Sequence, residues 1–218
     1  MKKIFTLIAM AAMAISANAQ RIDFEDGEKK DYFVSGNFKL EYVDTDGKLV
    51  VDENNCYFGT ADSQEKFTHR LKSGGKSSSK NNMTLSIPAA GTLKIYPRTG
   101  SNSATDRTLV LTQNEVEIFN QVIEEANAVL VTGLDAADPT KETKVYPIIS
   151  VSVEAGSVAV GYPIGSMNFY AFEFVASTGI DTVKTAAENT SIYNLAGQKV
   201  SENYKGVVIK NGKKIVMK

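Results

Sequence analysis

Several residue types that often carry function are rare or missing in this chain. Its 218 residues include no tryptophan, one cysteine (Cys56) and one histidine (His69). A lone cysteine cannot form an internal disulfide, and one histidine with one cysteine cannot supply the ligands of an ordinary zinc site. A histidine-based triad could be built only around His69, which alternates with Phe67 and Leu71 and is therefore expected in or beside the core. Cys56 is expected to be a small core residue rather than a nucleophile.

Nucleotide-binding motifs are also missing. The segment SGGKS at 73–77 is only superficially similar to a phosphate-binding loop, because the earlier glycine and a following helix pattern are lacking. We expect this segment to be a flexible loop. We predict that the protein is not an enzyme, has no catalytic residues or cofactor, and does not bind nucleic acid. Glycoside hydrolysis by a pair of carboxylates is left as an open alternative, because a sequence does not show how far apart two carboxylates lie in space.

The longest apolar run lies at the N-terminus. Lysines at positions 2–3 precede an apolar stretch over 4–15, and a small-x-small triplet, Ala-Asn-Ala, ends at Ala19. This pattern predicts a secretory signal peptide over 1–19, cleaved before Gln20, and the run is too short to span a bilayer. We therefore expect a secreted or cell-surface protein without a transmembrane anchor.

Short strands account for almost all of the region from residue 21 to 176. Apolar side chains recur at every second position in several segments: 38–42, 83–87, 93–95 and 109–111. The segment 167–175 is apolar on both faces, which predicts a central strand. Only residues 115–130 have a pattern compatible with a helix. We predict an all-β fold over 20–176, a two-sheet β-sandwich of jelly-roll type.

Turn signals separate the predicted strands. Asp46-Gly47 predicts a hairpin between strands ending at Val43 and starting at Leu49. Ala90-Gly91 and Glu154-Ala155-Gly156 mark two further strand ends.

Charge is distributed unevenly although the net charge is −1. Residues 21–61 carry ten acidic and five basic side chains, residues 62–107 three acidic and eight basic, and residues 108–176 nine acidic and two basic. The middle segment is therefore a basic island. Two interpretations are open: neighbouring strands balance one another, or the island forms a groove that attracts anions.

A resemblance to a known family rests on five stretches within this region. They are FTHRLKSGG (67–75), MTLSIPAAGTLKIYPRTG (83–100), DRTLVLT (106–112), YPIISVSVEAGSVAVGYP (146–163) and NFYAFEF (168–174). Together they resemble a carbohydrate-binding-module-like jelly roll attached to secreted pectate lyases and glycoside hydrolases, and this resemblance implies a galactose-binding-like fold. The resemblance implies a polysaccharide partner. This chain differs from the proteins that usually carry the module, because no lyase or hydrolase domain is found on it.

The C-terminal residues 191–218 resemble a second family. The segments IYNLAGQKV, KGVVI and NGKKIV are similar to the C-terminal sorting domain of type IX secretion substrates, which implies the outer-membrane secretion machinery as a partner. Three strands separated by turns fit this pattern. The polar segment 177–190 predicts a linker. Within it, Thr182 lies in an Asp-Thr-Val sequence that matches a bacterial O-glycosylation pattern.

The candidate ligand-binding residues are Arg70, Tyr96, Arg98 and Arg107, which lie in the basic island and in the stretches that carry the first resemblance. Arginine held on a strand suits fixed pairing with a carboxylate or with vicinal hydroxyls. We expect at least two of the arginines to converge with the tyrosine on a shallow groove that binds an acidic, pectin-like chain. The competing interpretation is that each arginine pairs with a carboxylate of the protein.

Whether the protein binds a structural calcium ion is also left open, because modules of the resembled family often carry one. Asp44-Thr45-Asp46-Gly47 places oxygen ligands at alternate positions but lacks a later closing glutamate, so a plain turn is the competing interpretation. The functional alternative to carbohydrate binding is a structural or adhesive surface protein without a glycan ligand.

Overall fold

The computed structural model describes residues 19–177, 192–194, 197–201, 204–210 and 213–217. Most of the predicted signal peptide, and Thr182 with nearly all of the predicted linker, lie outside these residues. The chain divides into two compact units, residues 1–177 and 178–218. In the described part of the chain, no helix is long and apolar enough to cross a membrane.

Strands dominate the first unit, and one short 3₁₀ helix, Glu125–Asn127, lies among them. In chain order the strands are β1 (Ala19–Asp23), β2 (Tyr32–Ser35), β3 (Phe38–Asp44), β4 (Val50–Gly59), β5 (Gln64–Lys72), β6 (Asn81–Ile87), β7 (Gly91–Thr99), β8 (Thr108–Gln113), β9 (Val116–Val122), β10 (Val129–Val131), β11 (Thr143–Tyr146), β12 (Ile149–Val153), β13 (Gly156–Gly161) and β14 (Met167–Ala176).

These strands form two sheets. The large sheet has the order β10-β11-β4-β5-β14-β7-β12, and β1 also pairs with β14. The small sheet has the order β2-β3-β6-β13-β8-β9. The chain crosses between the sheets repeatedly, for example from β6 to β7 and from β12 to β13. The predicted all-β sandwich is therefore confirmed.

The main core lies between the two sheets. Side chains of both sheets belong to one buried cluster, and the rings of Phe38 on β3 and Phe174 on β14 are 6.0 Å apart. Leu93 and Ile95 of β7 belong to this cluster and are fully buried. Burial of such side chains is the principal stabilising contribution in a chain that lacks disulfides.

β14 is a central strand, as its apolar sequence predicted. It pairs with β7 on one side and with β5 and β1 on the other. The register of β14 with β7 shifts between Phe169 and Phe172. This irregularity resets the alternation of side chains, so that both phenylalanines join the main core whereas Tyr170 joins a second cluster.

The prediction of a helix over 115–130 is wrong. Asn114 and Glu115 have φ values of 52° and 64° and form a two-residue loop between β8 and β9. Such positive φ values match the right-handed twist of a tight hairpin. Strand β9 and the 3₁₀ helix then occupy most of the segment, because pairing with β8 satisfies the backbone that a helix would otherwise satisfy.

The predicted hairpin at Asp46-Gly47 is also wrong in its partners. Gly47 does adopt a turn conformation, with φ of 66°, but β3 belongs to the small sheet and β4 to the large one. The turn therefore carries the chain from one sheet to the other. The strand breaks at Gly91 and Gly156 do likewise.

The segment 73–77, expected to be a flexible loop, is fixed by buried polar contacts. Ser73 is fully buried, and its hydroxyl accepts a hydrogen bond from the Met167 amide at 2.9 Å. The Asn81 side chain donates to the Ser73 carbonyl at 2.9 Å, and the Tyr162 hydroxyl donates to Asn81 at 2.8 Å. This network joins the loop to β6 through Asn81 and to the start of β14 through Met167.

The second unit contains four strands in the described residues. They are β15 (Ile192–Asn194), β16 (Lys199–Val200), β17 (Gly206–Lys210) and β18 (Lys213–Met217), in the sheet order β16-β15-β17-β18. The three predicted strands are among them, and Gly197 has the positive φ, 79°, of the turn that follows β15.

Candidate functional site

A second buried cluster, which we call the aromatic cluster, lies on the large sheet away from the main core. It contains Cys56, Phe58, Phe67, Tyr96, Tyr146, Tyr170 and Ala171. Successive side chains of a strand point to opposite faces, so Tyr96 lies on the face opposite Ile95 of the main core. The Phe58 ring is 5.1 to 5.9 Å from the rings of Phe67, Tyr96, Tyr146 and Tyr170.

Arg98 borders this cluster and is held by the 3₁₀ helix. Its Nε donates to the Glu125 carboxylate at 2.9 Å, its Nη2 donates to Asn102 at 2.9 Å, and its guanidinium carbon is 5.1 Å from the centre of the Tyr146 ring. Glu125 also accepts hydrogen bonds from Lys144 Nζ at 2.8 Å and from the Tyr146 hydroxyl at 2.6 Å. One carboxylate therefore receives three donors from two separate parts of the chain, β7 and β11.

The charges and hydrogen bonds around Glu125 favour its ionised form. Burial alone would raise the pKa of Glu125, but the hydrogen bonds from Arg98, Lys144 and Tyr146 outweigh burial and hold the pKa below its usual value. Burial alone would lower the pKa of Arg98, but the hydrogen bond to Glu125 and the nearby Tyr146 outweigh burial and raise it. Burial, followed by the bond to Glu125, raises the pKa of Tyr146, which therefore stays protonated.

The pKa of Glu125 predicts how its contribution to stability depends on pH. Because the pKa is lowered in the folded state, this contribution is fully present above the unfolded value and is lost as pH falls through the folded value. We expect Glu125→Gln to unfold at lower urea concentration than the parent at pH 7, with a gap that closes as pH falls below about 4. Urea unfolding from pH 7 to pH 3 measures this, and a gap that is independent of pH would contradict it.

A cleft of about 700 Å³ opens beside this group. Its lining includes four cationic side chains, Lys66, Arg98, Lys141 and Lys144, against two carboxylates, Asp135 and Glu142. Lys141 pairs with Asp135 at 2.8 Å, and Arg98 and Lys144 pair with Glu125. Lys66 is exposed and has no ion-pair partner among the described residues. Tyr57, Tyr146 and Asn55 add two rings and an amide to the lining.

The four predicted ligand-binding residues do not share one surface. Tyr96 is only 1% exposed and its hydroxyl lies 3.3 Å from Glu173, so its ring lies inside the aromatic cluster. Arg98, of the four, lines the cleft. Arg70 pairs with Asp52 through Nε at 2.6 Å and Nη2 at 3.2 Å.

Arg107 lies just before β8 of the small sheet. It donates to the Ile164 carbonyl at 3.1 Å and lies 3.9 Å from the Asp106 carboxylate. Its guanidinium packs directly on Gly165, where a side chain would collide with it. Each arginine of the basic island thus has a partner within the protein. This agrees with the interpretation in which the charges of neighbouring strands balance one another.

Sequence reasoning missed several residues of this region, among them Lys144. Arg21 on β1 lies 5.1 Å and 5.3 Å from the ring centres of Phe67 and Tyr96 and pairs with Glu65 at 2.6 Å. Glu125 and Lys66 were not singled out either. Glu125 stands in a pattern interpreted as a helix, and Lys66 precedes the motif-bearing stretch that starts at residue 67, so neither carried a local signal.

Cys56 and His69 show no features of a catalytic group. Burial raises the pKa of the Cys56 thiol to about 11, so it stays protonated at neutral pH. His69 Nδ1 is 2.9 Å from the Thr68 hydroxyl, but the Glu25 carboxylate binds that hydroxyl and the backbone amides instead of the imidazole. The base-to-carboxylate contact of a catalytic triad is missing from this arrangement.

The Asp44 loop does not fit a calcium ion. Asp44 accepts hydrogen bonds from the backbone amides of Lys48 and Leu49 at 2.7 and 3.1 Å and pairs with Lys29. Asp46 pairs with Lys48 at 2.7 Å. The oxygens are thus occupied by donors of the protein itself. In the described part of the chain, no group of three or more histidine, cysteine, aspartate or glutamate side chains could hold a metal ion.

Comparison with known proteins gives only distant likenesses. No protein-family model and no curated protein matches the chain. Among solved structures, a chain from work on glycan recognition by the Ruminococcus flavefaciens cellulosome has a TM-score of 0.39 at 12% identity, covering 73% of this chain and 95% of that one. The catalytic unit of a GH87 α-1,3-glucanase from Streptomyces thermodiastaticus has a TM-score of 0.34 at 13% identity, covering 78% of this chain and 30% of the glucanase. At these values the likenesses carry no argument about ligand or activity.

Proposed function

We propose that this chain is an exported, non-catalytic carbohydrate-binding protein that holds an acidic, pectin-like polysaccharide in the cleft beside Glu125. The observation that carries the proposal is the composition of the cleft: four cationic side chains against two carboxylates, with tyrosine rings and an amide beside them. Cations and planar donors suit the carboxylates and vicinal hydroxyls of uronic acids, and tyrosine rings offer apolar contact to sugar faces.

The proposed setting is the cell surface or the medium. The N-terminal pattern up to Ala19 supports export, and β1 starts at Ala19, so cleavage before Gln20 would leave nearly the whole strand on the mature chain. The four-stranded second unit, with its turn at Gly197, supports the proposal that the tail is read by an outer-membrane secretion machine. Thr182 stays a proposed O-glycosylation site.

Lys66 gives the sharpest test of the proposal, because it is the exposed cation of the cleft without an ion pair among the described residues. We expect the parent protein to bind oligogalacturonate with Kd between about 10 μM and 1 mM, more weakly as salt rises. Lys66→Ala should weaken this binding by about threefold to tenfold, since an exposed ion pair contributes up to about 1 kcal/mol. Calorimetric titration against acidic and neutral oligosaccharides measures both effects.

Lys76→Ala is the matched control. Lys76 is also an exposed lysine without an ion pair among the described residues, and it does not line the cleft. Equal losses in the two variants would show that net charge, and not the cleft, attracts the glycan. If a glycan array and the titration both show no binding by the parent, the proposal fails and a structural or adhesive surface protein replaces it.

A further inference from the structure

The cleft contains a carboxylate-binding arrangement that the chain itself fills. Arg98 Nε, Lys144 Nζ and the Tyr146 hydroxyl converge on Glu125 at 2.9, 2.8 and 2.6 Å. Two cations and a phenol around one carboxylate form a charge-assisted site of the kind that proteins use to recognise carboxylate ligands. Glu125 is well shielded, with its side chain 11% exposed.

The donors that hold Glu125 also face the cleft. Arg98, Lys144 and Tyr146 all line it, whereas Glu125 does not. A ligand in the cleft therefore meets the same three side chains that bind Glu125. If a ligand carboxylate took the place of Glu125, the three side chains would again bind one carboxylate. The net charge at the three donors would therefore be unchanged.

We infer that Arg98, Lys144 and Tyr146 are the uronate-recognition site of the cleft, and that Glu125 occupies this site until a ligand carboxylate displaces it. The inference rests on the proposed function and deepens it, because it names the ligand group and the residues that bind it. Glu125 then acts as an internal competitor that weakens binding of acidic sugars.

The segment that carries Glu125 is suited to such an exchange. The 3₁₀ helix Glu125–Asn127 has three residues, and none of them is buried. Its displacement exposes little apolar surface, so the main cost of local opening is the loss of the three hydrogen bonds to Glu125, which a ligand carboxylate would replace. Ile123, just before the helix, is 5% exposed and anchors the segment in the main core. The ligand shifts the equilibrium only by its own affinity for the three donors.

Chemical rescue tests the inference without requiring any glycan. Glu125→Ala leaves the three donors without their carboxylate and should lower the melting temperature. Sodium acetate at 100 mM should then raise the melting temperature by about 3 °C relative to sodium chloride of equal ionic strength, as expected for a ligand present at about ten times its Kd. Galacturonate should do the same, and galactose should not.

Asp52→Ala is the control variant for rescue. Asp52 also pairs with an arginine, Arg70, on the large sheet, and neither residue lines the cleft. Equal rescue of both variants by acetate, or rescue of neither, would overturn the inference.

Glu125→Gln supplies a second measurement, which reads out ligand binding and not melting temperature. It removes the competing charge and retains the size of the side chain, so oligogalacturonate should bind about tenfold more tightly than to the parent, the effect of one nearby like charge at an intermediate dielectric constant. Unchanged or weaker binding would overturn the inference. Glycan binding by the parent without rescue of Glu125→Ala would refute the role of Glu125 and leave the proposed function standing; rescue without glycan binding would refute the proposed function.

Discussion

Replacement of Phe58 by alanine is expected to lower the free energy of unfolding by about 3 to 5 kcal/mol, the range for a large aromatic side chain removed from a packed core. Phe58 is fully buried although it lies on the face of the large sheet away from the main core. Four aromatic rings surround it at centre-to-centre distances of 5.1 to 5.9 Å. Equilibrium urea unfolding, followed by far-UV circular dichroism, measures the change.

Two further variants make the result for Phe58 interpretable. Phe172→Ala, in the main core between the sheets, should cost a similar amount, since Phe172 is also fully buried. Tyr32→Ala should cost less than about 1 kcal/mol, because Tyr32 is 50% exposed. A loss at Phe58 no larger than that at Tyr32 would show that the aromatic cluster is not a packed second core.

Much of the fold could be predicted because its signals are local. Period-two alternation marked the strands, and glycine turns marked their ends, as at Gly91 and Gly156. The central position of β14 could be predicted because its sequence is apolar on both faces. The register shift after Phe169 could not be predicted, since it depends on which neighbour each side chain meets.

The helix and hairpin predictions failed for a related reason. An amphipathic segment that follows a tight turn can satisfy its backbone either within a helix or against a neighbouring strand, and the Asn114-Glu115 loop sets the second outcome. Whether a turn such as Asp46-Gly47 closes a hairpin or links two sheets depends on the partners of β3. These are β2 and, about 40 residues further along the chain, β6.

The candidate site was only partly visible in the sequence. Arg98 was predicted as a ligand-binding residue and does line the cleft, but Lys66, Glu125 and Lys144 come from other parts of the chain. They meet because β11 runs parallel to β4 and brings Tyr146 opposite Phe58. Pairings of this kind join residues that are far apart in sequence, so no short motif records them.

The second large effect is expected at Asn81, where leucine should lower the free energy of unfolding by about 2 to 5 kcal/mol. Asn81 is fully buried; it donates to the Ser73 carbonyl at 2.9 Å and accepts from the Tyr162 hydroxyl at 2.8 Å. Leucine keeps the branched four-atom shape of the asparagine side chain, so most of the loss comes from the polar groups left without a partner. Each buried group so orphaned costs about 1 to 3 kcal/mol.

A double-mutant cycle isolates this cause from a simple packing defect. Tyr162→Phe alone should destabilise the protein by about 1 kcal/mol, since it removes one hydrogen bond. In the Asn81→Leu background the same change should cost nothing or restore stability, because the Tyr162 hydroxyl there is buried without its acceptor. Urea unfolding of the parent, both single variants and the double variant gives the coupling. Additive losses would mean that the fixed conformation of the 73–77 segment depends on packing and not on this hydrogen-bond network.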